Sequence, residues 1–139
     1  MQFKSKVAFS LMEIMLVVII IGLLAALAAP RLVGKSKEAR IAVARSDVNS
    51  NIPTALDFFE LDNGQFPSTD QGIDGLIRKP STSPMPTNWN GPYLKKLPKD
   101  PWNEEYVYLS PGNHNTADYD LFSKGPDKTE GTSDDIGNW

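Results

Sequence analysis

Two hydrophobic patterns divide the chain. Residues 9–29 are apolar or glycine with two exceptions, Ser10 and Glu13. At 1.5 Å rise per residue, a run of about 20 such residues matches the roughly 30 Å hydrocarbon core of a bilayer. Backbone polar groups in lipid must be satisfied within the segment, so the run is expected as a helix. Its one carboxylate, Glu13, would cost at least ~2.5 kcal/mol if left unpaired there, which makes it a candidate functional residue. Farther on, Ile41, Ala44, Val48, Ile52, Ala55, Leu56 and Phe59 recur at three- and four-residue spacing, with Arg40, Arg45, Asp47 and Asn51 between them. That spacing predicts an amphipathic helix with one buried stripe.

Two prolines bear on this helix. Pro30 ends the purely apolar run and removes a backbone hydrogen bond if the helix continues through it. Pro53 interrupts the stripe: either the helix kinks there, or it ends near Asn49 and restarts with Asn51 as N-cap. Gly64, after Asp62 and Asn63, is the stop signal. Downstream, Ile73 to Ile77 predicts one or two helical turns. Residues 79–92 carry Pro80, Pro84, Pro86 and Pro92 and read as a surface loop. Short aromatic and branched runs at 93–97, 106–109 and 118–123 predict three strands, forming a small antiparallel sheet laid on the amphipathic helix.

Charge adds direction to this layout. Net charge is −3 over 139 residues, unevenly placed. Lys4 and Lys6 precede the apolar run with no acid among them. The stretch 31–47 has Arg31, Lys35, Lys37, Arg40 and Arg45 against Glu38 and Asp47. From Asp100 onward, Glu104, Glu105, Asp118, Asp120, Asp127, Glu130, Asp134 and Asp135 face only Lys124 and Lys128. The acidic portion would repel phosphate, which excludes nucleic acid as a partner. The basic leader puts the N-terminus in the cytoplasm and the long C-terminal part across the membrane. A secretory signal peptide ending near Ala29 is the alternative, with Ala26-Leu27-Ala28 as a loose cleavage pattern. An ionisable Glu13 and the length of the apolar run count against it.

Chemistry is sparse. The chain has no cysteine and one histidine, His114, in a Gly-Asn-His-Asn loop. No nucleophile, base and orienting acid can be assembled by spacing, and there is no phosphate-cradling glycine motif or zinc cluster. An enzyme is not expected. Asp127, Asp134 and Asp135 crowd three carboxylates into a turn-rich loop with Gly125, Pro126 and Gly131. Either the loop is a solvated acidic turn or a hard cation such as calcium neutralises it. The spacing does not match an EF-hand, since Thr132 and Asn138 stand where Gly and Glu would be needed.

The stretch Lys6-Val7-Ala8-Phe9-Ser10-Leu11-Met12-Glu13 resembles the processing site of type IV prepilins and pseudopilins, with Ala8 where that family has glycine. Leu61-Asp62-Asn63-Gly64, Phe66-Pro67-Ser68-Thr69, Leu97-Pro98-Lys99-Asp100-Pro101-Trp102, Tyr119-Asp120-Leu121 and the terminal Asp134-Asp135-Ile136-Gly137-Asn138-Trp139 are similar to the major pseudopilins of type II secretion systems. Asn103-Glu104 stands where those have Gly-Asn, and asparagine tolerates the positive φ that such a turn requires. The absence of cysteine sets the chain apart from adhesive pilins with a C-terminal disulfide loop, although an adhesion or DNA-uptake pilin remains the alternative.

The resemblance implies an α+β, type IV pilin-like fold. Its parts would be a leader (1–8), a transmembrane and filament-core helix (9–29), an amphipathic continuation (30–63) and a periplasmic head (64–139). It implies cleavage between Ala8 and Phe9 by a prepilin peptidase, N-methylation of Phe9, and Glu13 as an assembly residue pairing with a neighbour's amino terminus. It implies polymerisation into a pseudopilus together with minor pseudopilins and an inner-membrane assembly platform, the subunit lying in membrane lipid before assembly. It also implies calcium in the C-terminal loop, held by the side chains of Asp127, Asp134 and Asp135 and backbone oxygens of Lys124 and Thr132.

Overall fold

The computed structural model describes residues 9–139, without the side chains of 28–34. The expected leader, including Ala8, lies outside the described residues. The chain forms two compact units, Met1–Glu38 and Ala39–Trp139.

Helix α1 spans Leu11–Ser46. It begins where a Ser-x-x-Glu pattern places Ser10 one residue before the helix. The Glu13 N–H donates to Ser10 Oγ at 3.2 Å and to the Ser10 carbonyl at 3.1 Å, so an otherwise orphaned first-turn donor is satisfied. Leucine, alanine and methionine favour the helix, while Val17 to Ile21 and Gly22 are weaker helix formers. Every large hydrophobic side chain from Leu11 to Leu27 is exposed, from 45 % at Val17 to 82 % at Leu11. Among the described residues no helix is long and apolar enough to cross a membrane.

In the second unit, Pro53 does not break the helix. A π-helical segment, Asp47–Asn51, joins α1 to α2 (Ile52–Asn63), with the Ile52 N–H reaching back to the Asp47 carbonyl. Asn51 is not an N-cap in the usual sense: its backbone is helical and its side chain caps nothing, bonding Asp47 Oδ1 at 2.7 Å instead. Pro53 follows the π segment directly at the start of α2; with helix on both sides, it leaves a carbonyl of the preceding turn without a backbone donor. Side chains serve nearby carbonyls, Asn49 Nδ2 on Arg45 at 3.0 Å and Thr54 Oγ1 on Ser50 at 2.6 Å. The wider π turn also suits the stripe. Ala44, Val48 and Ile52 are spaced four apart, a period that drifts around an ordinary 3.6-residue helix, yet all three are buried. Gly64 ends α2 at φ 77°, its N–H bonding the Glu60 carbonyl.

The predicted stripe is the core. Val48, Ile52, Ala55, Leu56 and Phe59 pack with Ile73, Leu76, Tyr106, Tyr108, Tyr119 and Leu121, while Ile41 is only half-buried. Ile73–Leu76 forms a single 3-10 turn. Gln71 is buried and ties down the proline-rich loop, donating to the Thr82 and Pro84 carbonyls at 2.9 and 2.8 Å.

The sheet is antiparallel with order β1-β2-β3. β1 (Val107–Leu109) and β2 (Asp120–Ser123) match two of the predicted runs, with Tyr108 opposite Leu121. The third differs. Residues 93–97 form no strand, because Tyr93 is drawn to the helical elements: its hydroxyl donates to Asp62 Oδ2 at 2.6 Å, and the Tyr93 and Leu94 N–H groups share the Leu76 carbonyl. The third strand is β3 (Ile136–Gly137), pairing Ser123 with Ile136.

The Asp-Pro-Trp turn is fixed to this sheet from within. Asp100 is 4 % exposed and Ser123 fully buried. Asp100 Oδ2 accepts from Ser123 Oγ at 2.6 Å, and Oδ1 accepts from the N–H groups of Trp102 and Glu104 at 3.0 and 2.8 Å. Asn103 closes the turn at φ 69°, as its tolerance of the left-handed region allows. Removing the carboxylate strands the buried Ser123 hydroxyl, at about 1–3 kcal/mol, and frees two half-buried N–H groups at a smaller cost. Asp100→Ala should therefore destabilise the protein by about 3 kcal/mol, and Ser123→Ala by less. Urea unfolding checks this, and an Asp100→Ala midpoint within error of the parent would refute it.

Candidate functional site

Three groups of residues hold what chemistry the chain has. The first is the start of α1. Phe9 is 72 % exposed. Glu13 is exposed as well, its side chain free of the cap, which uses only its backbone N–H. Ser10 caps the helix start, a role the Ser-x-x-Glu pattern could have shown in the sequence.

The second is the C-terminal loop. Gly125 (φ 67°) lets the chain pass close against the Asp134 carbonyl, where a Cβ would collide. Asp127 Oδ1 accepts from the Thr129 N–H at 2.8 Å. Asp134 Oδ1 accepts from Thr132 Oγ1 at 2.6 Å, and its Oδ2 from the Asp127 N–H at 3.2 Å. The Thr132 hydroxyl bond, with help from the Asp127 N–H, holds the Asp134 carboxyl below its ordinary range. Asp135 Oδ2 accepts from the Gly131 N–H at 2.8 Å, while its Oδ1 is buried with no partner. The Thr132 carbonyl accepts from the Asp135 N–H, and Lys124 is half-buried. Among the described residues no group of three or more His, Cys, Asp or Glu side chains is arranged around a common metal position. The loop thus brings Asp127 and Asp134 together and leaves Asp135 turned to Gly131.

The third group was not foreseen. Asp120 is 1 % exposed, and three successive backbone N–H groups converge on it, from Asn113 (2.7 Å), His114 (2.8 Å) and Asn115 (2.9 Å). Gly112 leaves room for this approach, since a Cβ there would strike the carboxylate. His114 is not simply solvated. Its Nδ1 lies 3.2 Å from Asp120 Oδ2, and its ring stacks on Trp139 at 3.9 Å with planes 4° apart. Trp139 also meets Phe122 edge-on, so the C-terminal residue is clasped to β2. No nucleophile accompanies the imidazole, and the arrangement reads as a structural clasp.

Burial pushes the Asp120 carboxyl up, but the His114, Asn115 and Asn113 N–H groups and the His114 ring outweigh it, leaving the carboxyl below its ordinary range. Between that lowered value and about 3.9, the ordinary aspartate value, the unfolded chain binds more protons than the folded one. Stability from Asp120 is therefore complete above about pH 4 and is lost as pH falls through the folded value. Asp120→Asn should flatten the acid limb of the stability–pH curve, followed by the urea midpoint; an identical limb in parent and variant would sink the assignment.

A family model described as type II secretion system (T2SS), protein G, matches residues 31–139. The type II secretion system core protein G of Pseudomonas aeruginosa is 48 % identical over 143 aligned residues, covering 100 % of this chain and 99 % of that protein. The core protein G of Vibrio cholerae is 44 % identical over 140 residues, covering 99 % and 94 %. The crystal structure of the major pseudopilin from the type 2 secretion system of enterohaemorrhagic Escherichia coli is similar with a TM-score of 0.70 at 39 % identity, over 78 % of this chain and 89 % of that one. The helix with its small antiparallel sheet is thus a shared architecture, and the chain belongs to the protein G family of the type II secretion system, the family of the major pseudopilin.

Proposed function

We propose that this chain polymerises into the periplasmic pseudopilus of a type II secretion system and so helps drive folded proteins across the outer membrane. It is a structural subunit and not an enzyme. The observation that carries this reading is the first part of α1, apolar on every face apart from Glu13 and exposed at every described large side chain. A helix of that kind needs lipid or other apolar helices around it. A subunit that waits in the inner membrane and then packs its helix against its neighbours uses both. The head would then lie in the periplasm, in contact with minor pseudopilins, and an inner-membrane assembly platform would load each copy.

Entry into the filament would follow cleavage between Ala8 and Phe9 by a prepilin peptidase and methylation of the new amino terminus. Glu13, the single carboxylate of the apolar run, is then the partner for the amino terminus of a neighbouring Phe9, because an unpaired charge among apolar helices is costly. Glu13→Ala keeps the backbone donor that the Ser10 cap uses, so the helix start should survive. The variant should be cut and methylated at Phe9 like its parent, by mass spectrometry, yet be missing from sheared filaments. Normal filaments and secretion in the variant would remove this role, and a mature start near Ala29 would remove the whole reading.

Calcium in the C-terminal loop belongs to the same proposal. The support is chemical: three carboxylates in a glycine-rich loop, an Asp134 that stays anionic, and a buried Asp135 oxygen without a partner. A hard cation with flexible oxygen coordination suits that set. Asp127, Asp134 and Asp135 would hold it, with backbone oxygens of Lys124 and Thr132, and it would neutralise their mutual repulsion. Binding to the folded state alone stabilises by mass action, ~2.7 kcal/mol at 100 times Kd. That corresponds to roughly 10–20 °C in Tm for a domain of this size. Chelation of the detergent-solubilised chain should lower Tm on that scale, and Asp127→Ala should make it insensitive to chelator. A melting curve indifferent to calcium would leave only an acidic turn.

A further inference from the structure

The outer face of α2 carries an apolar ridge that the fold leaves uncovered. Thr54, Phe58 and Leu61 follow one another at four- and three-residue spacing and so share a line along the helix. Phe58 is 56 % exposed and Leu61 80 %. With Asp57, Glu60 and Gly64 they line an open depression of about 610 Å³. Neither Asp57 nor Glu60 forms an ion pair among the described residues. An acidic flank along one side of an apolar ridge repels anionic lipid and nucleic acid alike. Its complement is a protein surface with apolar side chains beside bases.

The chain itself presents such a surface. On the last turns of α1, within the same unit, Arg40 and Arg45 flank Ala42 and Val43, and all four are exposed, Val43 at 53 %. Neither arginine is ion-paired among the described residues. Other exposed base pairs, Arg78-Lys79 and Lys95-Lys96, have only half-buried apolar neighbours in Ile77, Leu94 and Leu97. The 15 positions from Val43 to Phe58 span roughly 22 Å of helix at 1.5 Å per residue, too far for the two surfaces to meet within one copy.

We propose that the Phe58–Leu61 ridge, flanked by Asp57 and Glu60, docks on the Arg40–Arg45 band of a second copy. The proposal rests on the polymerisation argued above and names one of its contacts. Because the two surfaces differ, the contact is heterologous and can repeat from copy to copy; with a rotation that does not close into a ring, such a contact builds an open helical filament. Charge sets the stagger, since slipping the helices would place like charges together or leave them unmatched.

The chain has no native cysteine, so an introduced pair reports unambiguously. Full-length Leu61→Cys and Val43→Cys chains, co-expressed with the assembly machinery and mildly oxidised, should give a crosslinked dimer that either variant alone does not. Asp57→Lys with Glu60→Lys should lower sheared filament about tenfold or more, and adding Arg40→Glu with Arg45→Glu should restore it. Parent filaments with no Leu61–Val43 crosslink, or with Leu61→Cys joined instead to Lys95→Cys, would overturn this contact while leaving polymerisation intact. Filaments indifferent to the charge reversal would overturn it too. Absence of filaments from the parent chain itself would overturn both readings.

Discussion

Backbone satisfaction is the constraint on which the second unit depends. Its three strands are three, four and two residues long, so the ladder serves few of the backbone groups beyond Gly64. A buried N–H without a partner costs about as much as a lost hydrogen bond. Side chains therefore take over the work of a larger sheet. Asp100 gathers the Trp102 and Glu104 N–H groups, Asp120 gathers three in succession, and Gln71 holds two carbonyls of the proline-rich loop. Asn138 closes the terminus by accepting from the Leu121 N–H and donating to the Tyr119 carbonyl. Gln71, Asp100 and Asp120 are buried, where their bonds to the loop backbone satisfy groups the short ladder does not reach.

The helical stretch answers a different demand. One of its segments must pack on the sheet, while another is apolar all round apart from Glu13. The π segment lies within the part that packs on the sheet, with buried Ala44 before it and buried Ile52 after it. Its wide turn realigns Ala44, Val48 and Ile52 onto the buried face and places Asp47 where the Tyr106 hydroxyl donates to it at 2.7 Å. Burial and that bond push the Tyr106 hydroxyl well above the ordinary tyrosine range, so it remains a donor at any physiological pH. The helix and β1 are thereby joined by a polar contact at the edge of an otherwise apolar core. The same stretch turns Val43, Phe58 and Leu61 outward, which gives a polymerising subunit lateral surfaces without loosening its core.

Function in this protein is a matter of surfaces and ends, as expected of a structural subunit. Nothing resembling a catalytic constellation is assembled among the described residues. The sole imidazole is engaged with a carboxylate and a tryptophan that hold down the C-terminus.

The sequence by itself determined the helical stripe, the glycine stop at Gly64, two of the three strands, the Asn103 turn and the family. Each of these is written in local spacing or in a residue with a distinctive backbone preference, and such signals do not need distant partners. Only the tertiary structure decided the rest. Residues 93–97 have strand-like composition, yet Tyr93 finds Asp62 and the Leu76 carbonyl, and 31 positions separate that tyrosine from its carboxylate. Ile136–Gly137 is too short to register as a strand until β2 offers it a ladder. Pro53 left a kink and a restart equally open, and the choice of a π turn depended on which residues the sheet required to be buried. Asp100 and Asp120 looked like surface acids because burial of a charge is intelligible only once Ser123, or the 113–115 backbone, is seen to surround it. Long-range pairing of this kind carries no period along the chain, and so it appears only when the chain has folded.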